Sequence, residues 1–383
     1  MTIQILGMIG HRKSSEIIPA EGPVFDADYV AAFAKAHEDA GFDRVLIGQW
    51  SDQPDGFIVA AHAGANTTKL KFLLAHRPGF IAPTLAARKY ATLDQLLKGR
   101  LAIHVITGGS DPEQQRDGDF LGKAERYART KEFLDIVKLS WYSNQPFQYQ
   151  GQYYQVKDGF SEIKPAQTHL PVYFGGSSQE ALNVAAEHAD VFALWGEPLA
   201  EAADLIEKIQ SNTGLFSRQN PLKYNISFRP IIAETEKLAW EKAQHIYELT
   251  RQQIEDRGIR QDKQTAQSVG AQRLVDLSRR EVHDRNLWTG ISSLVHGNHN
   301  STALVGTPDQ VAESIADYYK LGISSVLIRG FDPLNDAVEY GRELLPSIRE
   351  KTEALDKLTL YTTNFTEPLS YQDSAFLKLP KFP

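Results

Sequence analysis

The segment Phe174-Gly175-Gly176-Ser177-Ser178, running into the helical Gln179-Glu180-Ala181-Leu182, has the make-up of an anion cradle. A glycine pair closing a short strand leaves backbone N–H groups accessible. Two hydroxyls at a helix start add donors beside the positive end of the helix dipole, which suits a phosphate. A serine N-cap accounts for one of the serines but not for the glycine pair. A second set of residues, His11, His76, His104 and His296 with Arg77, Arg229 and Arg329, offers imidazoles and guanidiniums that could hold a small anion. A single histidine on a strand is more often core than catalyst, so the reading rests on several of them meeting.

Other chemistries find less support. The 383 residues include no cysteine, which removes thiol nucleophiles, thiolate metal sites and disulfides. No histidines stand at the His-x-x-x-His spacing of a helical zinc site, and His296 and His299 lie in a Gly/Asn-rich loop without carboxylates, so no metal is expected. Asp52, Asp55, Asp111, Glu197 and Asp332 could supply a glycosidase pair, but each has a turn or cap explanation.

Converging these residues requires elements that end at one place. Eight short strands are expected, at 3 to 9, 43 to 48, 70 to 76, 101 to 106, 171 to 174, 191 to 195, 223 to 232 and 324 to 328. Several are continuous apolar runs, such as Val45-Leu46-Ile47 and Val326-Leu327-Ile328, as in strands buried on both faces. Helical spacing lies between them, with stops at Gly41, Gly99 and Gly322 and a start at Thr307-Pro308-Asp309. Eight βα units in series predict the α/β class and a (β/α)₈ TIM barrel, with the site at the strands' C-terminal ends. That mouth would gather His11, Gln49, Trp50, His76, Arg77, His104, Thr107, Gly175 to Ser178, Trp195 to Glu197, Arg229, Arg329 and Phe331.

The barrel is expected over residues 1–350, including a charged, Gln-rich insertion at 241–300 between strands seven and eight that could serve as a lid. A C-terminal tail at 351–383 carries Leu358, Leu360, Tyr361, Phe365, Tyr371, Phe376 and Leu377, and is expected to pack on its own barrel or on a second subunit. Forty-one Lys plus Arg against 48 Asp plus Glu give a net charge of -7, which argues against nucleic acid as a partner. No apolar run nears the roughly 20 residues of a membrane span, and Met1-Thr2-Ile3-Gln4 does not open a signal peptide, so a cytoplasmic protein without a membrane partner is expected.

Thr107-Gly108-Gly109-Ser110-Asp111-Pro112, Glu125-Arg126-Tyr127, Tyr173 to Ser178, Leu194-Trp195-Gly196-Glu197-Pro198 and Thr302-Ala303-Leu304-Val305-Gly306 together resemble the bacterial luciferase-like superfamily. Within it they resemble the FMNH₂-dependent alkanesulfonate monooxygenases, in the same order over about residues 3 to 350. The resemblance implies reduced FMN supplied by a separate NAD(P)H-dependent flavin reductase, with O₂ as co-substrate. It implies a small anionic organosulfur substrate, foremost an alkanesulfonate cleaved to aldehyde and sulfite, and a homodimer or homotetramer. Ser177, Ser178 and Tyr127 would hold the flavin phosphate, with Gly175 and Gly176 in the cradle and Thr107 beside the ring. His104 stands where the family usually has Asn, and Lys123 where it has His. His76 would sit beneath the flavin after a cis Ala75–His76 peptide, and His11 and Trp195 match substrate-side residues.

The departures fall on the substrate shell. The family's cysteine after the second strand is replaced near Gln53, and its Arg-x-His on the seventh strand reads Ser227-Phe228-Arg229. Its lid arginine aligns with His296, and its tyrosine after the eighth strand is Phe331. Arg229, Arg329 and His296 could rebuild a positive pocket. An FMN-dependent monooxygenase of a non-sulfur substrate, a deazaflavin-dependent oxidoreductase and a non-catalytic flavin-binding protein stay open.

Overall fold

A computed structural model describes residues 2–216, 218, 220–256, 268–297 and 301–365, with side chains to 358. Its strands are β1 (Gln4–Ile9), β2 (Arg44–Ile47), β3 (Lys71–His76), β4 (Leu101–Val105), β5 (Phe147–Gln150), β6 (Gln155–Gly159), β7 (Val172–Gly175), β8 (Val191–Leu194), β9 (Lys223–Ile232), β10 (Val282–His283), β11 (Leu287–Trp288), β12 (Ala303–Gly306) and β13 (Ile323–Ile328). The helices are α1 (Ala27–Asp39), α2 (Gly56–Ala65), α3 (Pro83–Leu96), α4 (Asp111–Arg116), α5 (Lys123–Tyr142), α6 (Gln179–His188), α7 (Leu199–Thr213), α8 (Glu236–Asp256), α9 (Val269–Leu277), α10 (Gly290–Leu294), α11 (Pro308–Lys320), α12 (Pro333–Glu343) and α13 (Leu345–Phe365).

Eight strands pair in parallel around a closed ring, β1-β2-β3-β4-β7-β8-β9-β13 and back to β1. This is the expected (β/α)₈ barrel, and its strands coincide with the eight apolar runs. Side chains alternate between its two faces, as strand geometry requires. Leu6, Leu73, Ala102, Tyr173, Val191 and Leu327 pack together in the lumen. Residues of opposite parity, such as Ile5, Phe72, Leu74, Ile103 and Phe174, join the larger core under the helices. Helix starts are fixed by side chains: Asp26 and Asp55 accept from the N–H groups of Tyr29 and Ile58. Thr307 and Gln310 form a reciprocal capping box ahead of Pro308.

Several features escape a period-based reading. β5 and β6 form an antiparallel hairpin after α5. β9 is long enough to serve two sheets: its first half pairs with β13, and Arg229 to Ile232 pair with β12, which continues antiparallel to β11 and β10. The stretch expected as an insertion is partly core, since α8 buries Ala239, Ala243 and Ile246 against Ile231 and Trp288. α13 runs unbroken through the expected boundary at residue 350. Tyr371, Phe376 and Leu377 of the expected tail lie outside the described residues. The Ala75–His76 peptide is trans, contrary to the cis bond implied by the resemblance. Both residues pair in register with His104 and Val105, so β3 continues as a regular strand to its end. Among the described residues no helix is long and apolar enough to cross a membrane.

Candidate active site

A cavity of about 510 Å³ opens at the C-terminal ends of the barrel strands, and every barrel strand or the loop directly after it lends residues to its wall. Met8, Leu46, Leu73 and Leu327 make an apolar floor, while Trp50, Thr107 and Trp195 rise around the rim. Ser268, Val269, Gly270 and Ala271, from the start of α9, close the side above β8.

The glycine cradle lies on one flank, and its geometry depends on both glycines. A Cβ on Gly175 would sit 2.8 Å from the Ala193 carbonyl oxygen. Gly176 has φ +142°, and a Cβ there would come within 2.7 Å of the Ala181 Cβ. Ser178 caps α6, its Oγ accepting from the Ala181 N–H at 3.4 Å. It is also hydrogen-bonded to Tyr127, whose phenol is raised by burial and partly lowered again by that bond. Lys123, the first residue of α5, and Ser177 complete this flank. The α6 N-terminus, the Ser177 and Ser178 hydroxyls, the Tyr127 phenol and the Lys123 ammonium therefore share one flank of the cavity, a donor set that suits a phosphate, with the Glu180 carboxylate also bonded to Ser178.

Polar atoms await a partner further in. Among the described residues Thr107 Oγ1 and His104 Nδ1 are buried with no hydrogen-bond partner, and both residues line the cavity. Burial pushes His104 down to about 4, so its imidazole is neutral at neutral pH and can donate one hydrogen bond and accept another. These orphaned atoms, together with the cradle, fit a polar ring system ending in a phosphate.

Arg329 lines the opposite wall. Its guanidinium is pushed down to about 10 by burial and by Arg229, with Glu16 opposing both, and it stays cationic at neutral pH. Two ion pairs brace the rim. Arg77 donates to Glu113 at 2.5 Å and to the Gln49 carbonyl at 2.9 Å. Arg273 of α9 grips Glu197 with Nε at 2.9 Å and Nη2 at 2.5 Å, tying the 268–277 segment to the end of β8.

Of the expected site residues, His104, Thr107, Lys123, Tyr127, Gly175 to Ser178, Trp195 and Arg329 meet at this cavity. Five do not. His76 points into the helix layer, because Leu73, Ala75 and Arg77 take the lumen parity of β3. Its ring lies among Phe57, Tyr90 and Phe133, and burial pushes it down to about 3. Arg229 is turned to Glu16 and Gly330 and lies 3.6 Å above the Phe331 ring, so both Arg229 and Phe331 stand behind the wall. His296 is exposed on the surface at φ +51°. His11 is half-buried on the loop after β1, outside the cavity lining, where burial and Arg12 lower it against Asp52.

Glu16 was missed. It lies on a loop of no periodicity, and the only signal for it was that two arginines, one within β9 and one directly after β13, would need a counter-charge. Glu113, Arg273 and the 268–271 stretch were likewise invisible as parts of one wall with the expected Gln49, because they meet only after the barrel closes.

A family model described as luciferase-like monooxygenase matches residues 3–325. The chain belongs to this family. It is thereby an oxidoreductase of the flavin-dependent monooxygenase type, and the cavity lies where a (β/α)₈ enzyme places its chemistry. Solved structures of similar fold include a riboflavin lyase with modified FMN and riboflavin (TM-score 0.74, 20% identity, 92% of each chain covered). Others are an EDTA monooxygenase from Chelativorans sp. BNC1 (0.72, 17%, 92% of this chain and 94% of that one) and a long-chain alkane monooxygenase (0.71, 18%, 92% of each). At these identities the likeness establishes the shared fold of this luciferase-like monooxygenase.

Proposed function

We propose that this luciferase-like monooxygenase uses reduced FMN, delivered by a separate NAD(P)H-dependent reductase, to oxygenate a small anionic organic compound, an alkanesulfonate being the first candidate. Bound reduced FMN would supply the reaction with O₂. The chain's residues supply position and dryness. Ser177, Ser178, Tyr127 and Lys123 hold the phosphate, while Thr107 and His104 meet polar atoms of the ring. Trp195 and the start of α9, latched by Arg273 to Glu197, keep water from the reacting face. FMN in the similar riboflavin lyase supports the cofactor, and the polycarboxylate named for the EDTA monooxygenase supports an anionic substrate.

The observation that carries the substrate class is Arg329, a partly buried, cavity-facing guanidinium set beside that of Arg229, with the single carboxylate of Glu16 shared between the two. An anionic substrate would compensate both effects by a charge-assisted, paired hydrogen bond. The experiment combines the protein with an FMN reductase, NAD(P)H, O₂ and a panel of alkanesulfonates, sulfones, carboxylates and matched neutral compounds, reading sulfite and substrate loss. Sulfite released from a sulfonate supports the full reading. Turnover of carboxylates alone retains the anion and discards the sulfur, and turnover of neutral compounds alone overturns the substrate class.

A further inference from the structure

Away from the cavity, on the outer layer of the barrel, Asp135 in the middle of α5 faces Glu187 and His188 at the end of α6. One ligand atom from each of the three lies within 4.8 Å of the other two. His188 Nε2 is 3.6 Å from Asp135 Oδ1 and 3.7 Å from Glu187 Oε2. Both distances are too long for hydrogen bonds. His188 is only 5% exposed, and among the described residues neither of its ring nitrogens has a hydrogen-bond partner, although Nε2 is aimed between two carboxylates. An imidazole buried in this way should cost stability unless something sits at the focus.

The remaining atoms of the cluster are already assigned, which leaves that focus defined. Lys131 Nζ is 2.8 Å from Glu187 Oε1 and 3.5 Å from Asp135 Oδ2. Tyr149, on the β5–β6 hairpin, donates to the same Oδ2 at 3.0 Å. Each carboxylate thus spends one oxygen on these donors and turns the other toward His188. The other nearby cations are occupied by the carbonyls that end α6. Lys138 donates to the His188 oxygen at 3.0 Å, and Arg218 donates to the Ala186 and Ala189 oxygens at 2.6 Å each.

We propose that Asp135 Oδ1, Glu187 Oε2 and His188 Nε2 form a binding site for a zinc-class divalent ion, with water completing the coordination. Bonds of roughly 2.0–2.1 Å at a tetrahedral centre set ligand atoms about 3.3 Å apart, so the two separations from His188 need to shrink by only a few tenths of an ångström, while the two carboxylate oxygens start within 4.8 Å of each other. One imidazole with two carboxylates suits zinc and its neighbours, whereas magnesium and calcium favour all-oxygen sets. Lys131 and Tyr149 would orient the ligating carboxylates from behind. The ion would pin α5 to α6, whose N-terminal ends carry Lys123, Tyr127 and Ser178, so its role is structural support for the anion cradle at a distance.

The test uses the full chain freed of metal with a chelator and titrated with Zn²⁺, followed by calorimetry and thermal melting. One equivalent should bind, and at about a hundredfold excess over Kd the melting temperature should rise by roughly 3 °C. Co²⁺ should develop the visible absorption of a tetrahedral site, and Mg²⁺ should do nothing. Glu187→Gln and Asp135→Asn, at partly exposed positions, should each weaken Zn²⁺ binding at least tenfold and lose the cobalt spectrum. Their melting without metal should stay close to that of the unmodified protein. Absence of stoichiometric binding, or binding that persists unchanged in both variants, overturns the proposal.

Discussion

Arg229 and Glu16 form a buried-side ion pair, Nη2 donating to Oε2 at 2.9 Å and Nη1 lying 2.6 Å from Oε1, although 213 positions separate them in the chain. Arg329 reaches the same carboxylate at 3.5 Å. One acid therefore answers two guanidiniums at the strand ends, fixing Arg229 in the wall and leaving Arg329 turned to the cavity.

Glu16→Gln should consequently destabilise the fold by about 3–5 kcal/mol, since it leaves desolvated positive charge without its counter-ion. Urea unfolding measures this, and a loss below about 1 kcal/mol would mean that water already screens the pair. Removal from water by itself raises Glu16, but the two arginines outweigh it and hold the carboxyl far below its ordinary value of 4.5. The pair's contribution is therefore complete above about pH 5 and is lost only as pH falls toward the depressed folded value.

Arg329→Ala should lower kcat/KM for an anionic substrate at least roughly thirtyfold and leave a matched neutral compound and FMN affinity nearly unchanged. Lysine should rescue in part, because a point charge cannot reproduce a planar fork. Equal losses for charged and neutral substrates would make Arg329 a structural residue.

In the cradle, Ser177→Ala combined with Ser178→Ala should cost roughly tenfold or more in FMN affinity while riboflavin binding barely moves. Gly176→Ala should be worse than either serine change, since φ +142° and the Ala181 Cβ both reject a side chain. Fluorescence titration with the two flavins reads both effects, and identical affinities for FMN and riboflavin in the unmodified protein would remove the phosphate site.

His76 predicts acid sensitivity with a definite sign. Its folded value of about 3 lies below the ordinary 6.5, so between those limits the unfolded chain binds the extra proton and stability falls as pH drops. At pH 5 this amounts to about 2 kcal/mol. His76→Phe, placed among Phe57, Tyr90 and Phe133, should remove that share and flatten the pH dependence of unfolding between pH 6.5 and 4. An unchanged slope would show that His37, also buried at about 4, and other groups carry the effect.

Arg273→Ala should loosen the α9 segment from Glu197. With an FMN reductase present, hydrogen peroxide released per NAD(P)H should rise severalfold without loss of FMN affinity. Unchanged coupling would mean that this latch does not guard the site.

Reading along the chain was enough for the barrel, because each buried strand is a local apolar run and several helix starts are local caps. Val45-Leu46-Ile47, Asp26 and Thr307-Pro308 carry their instructions within a few residues. The cradle was legible for the same reason, since Gly175 to Ser178 and the helix they start are contiguous. The direction in which a strand-end side chain points was decided by the closed barrel. His76 and Arg77 are adjacent, yet strand alternation and barrel closure send one into an aromatic core and the other to the rim. Arg229 looked like the anion-binding residue until Glu16, from the far end of the chain, reached it. Asp135 and His188 acquire a common focus only when α5 packs beside α6. Charge pairing over such sequence separations leaves no local periodicity, and so it is fixed by tertiary structure alone.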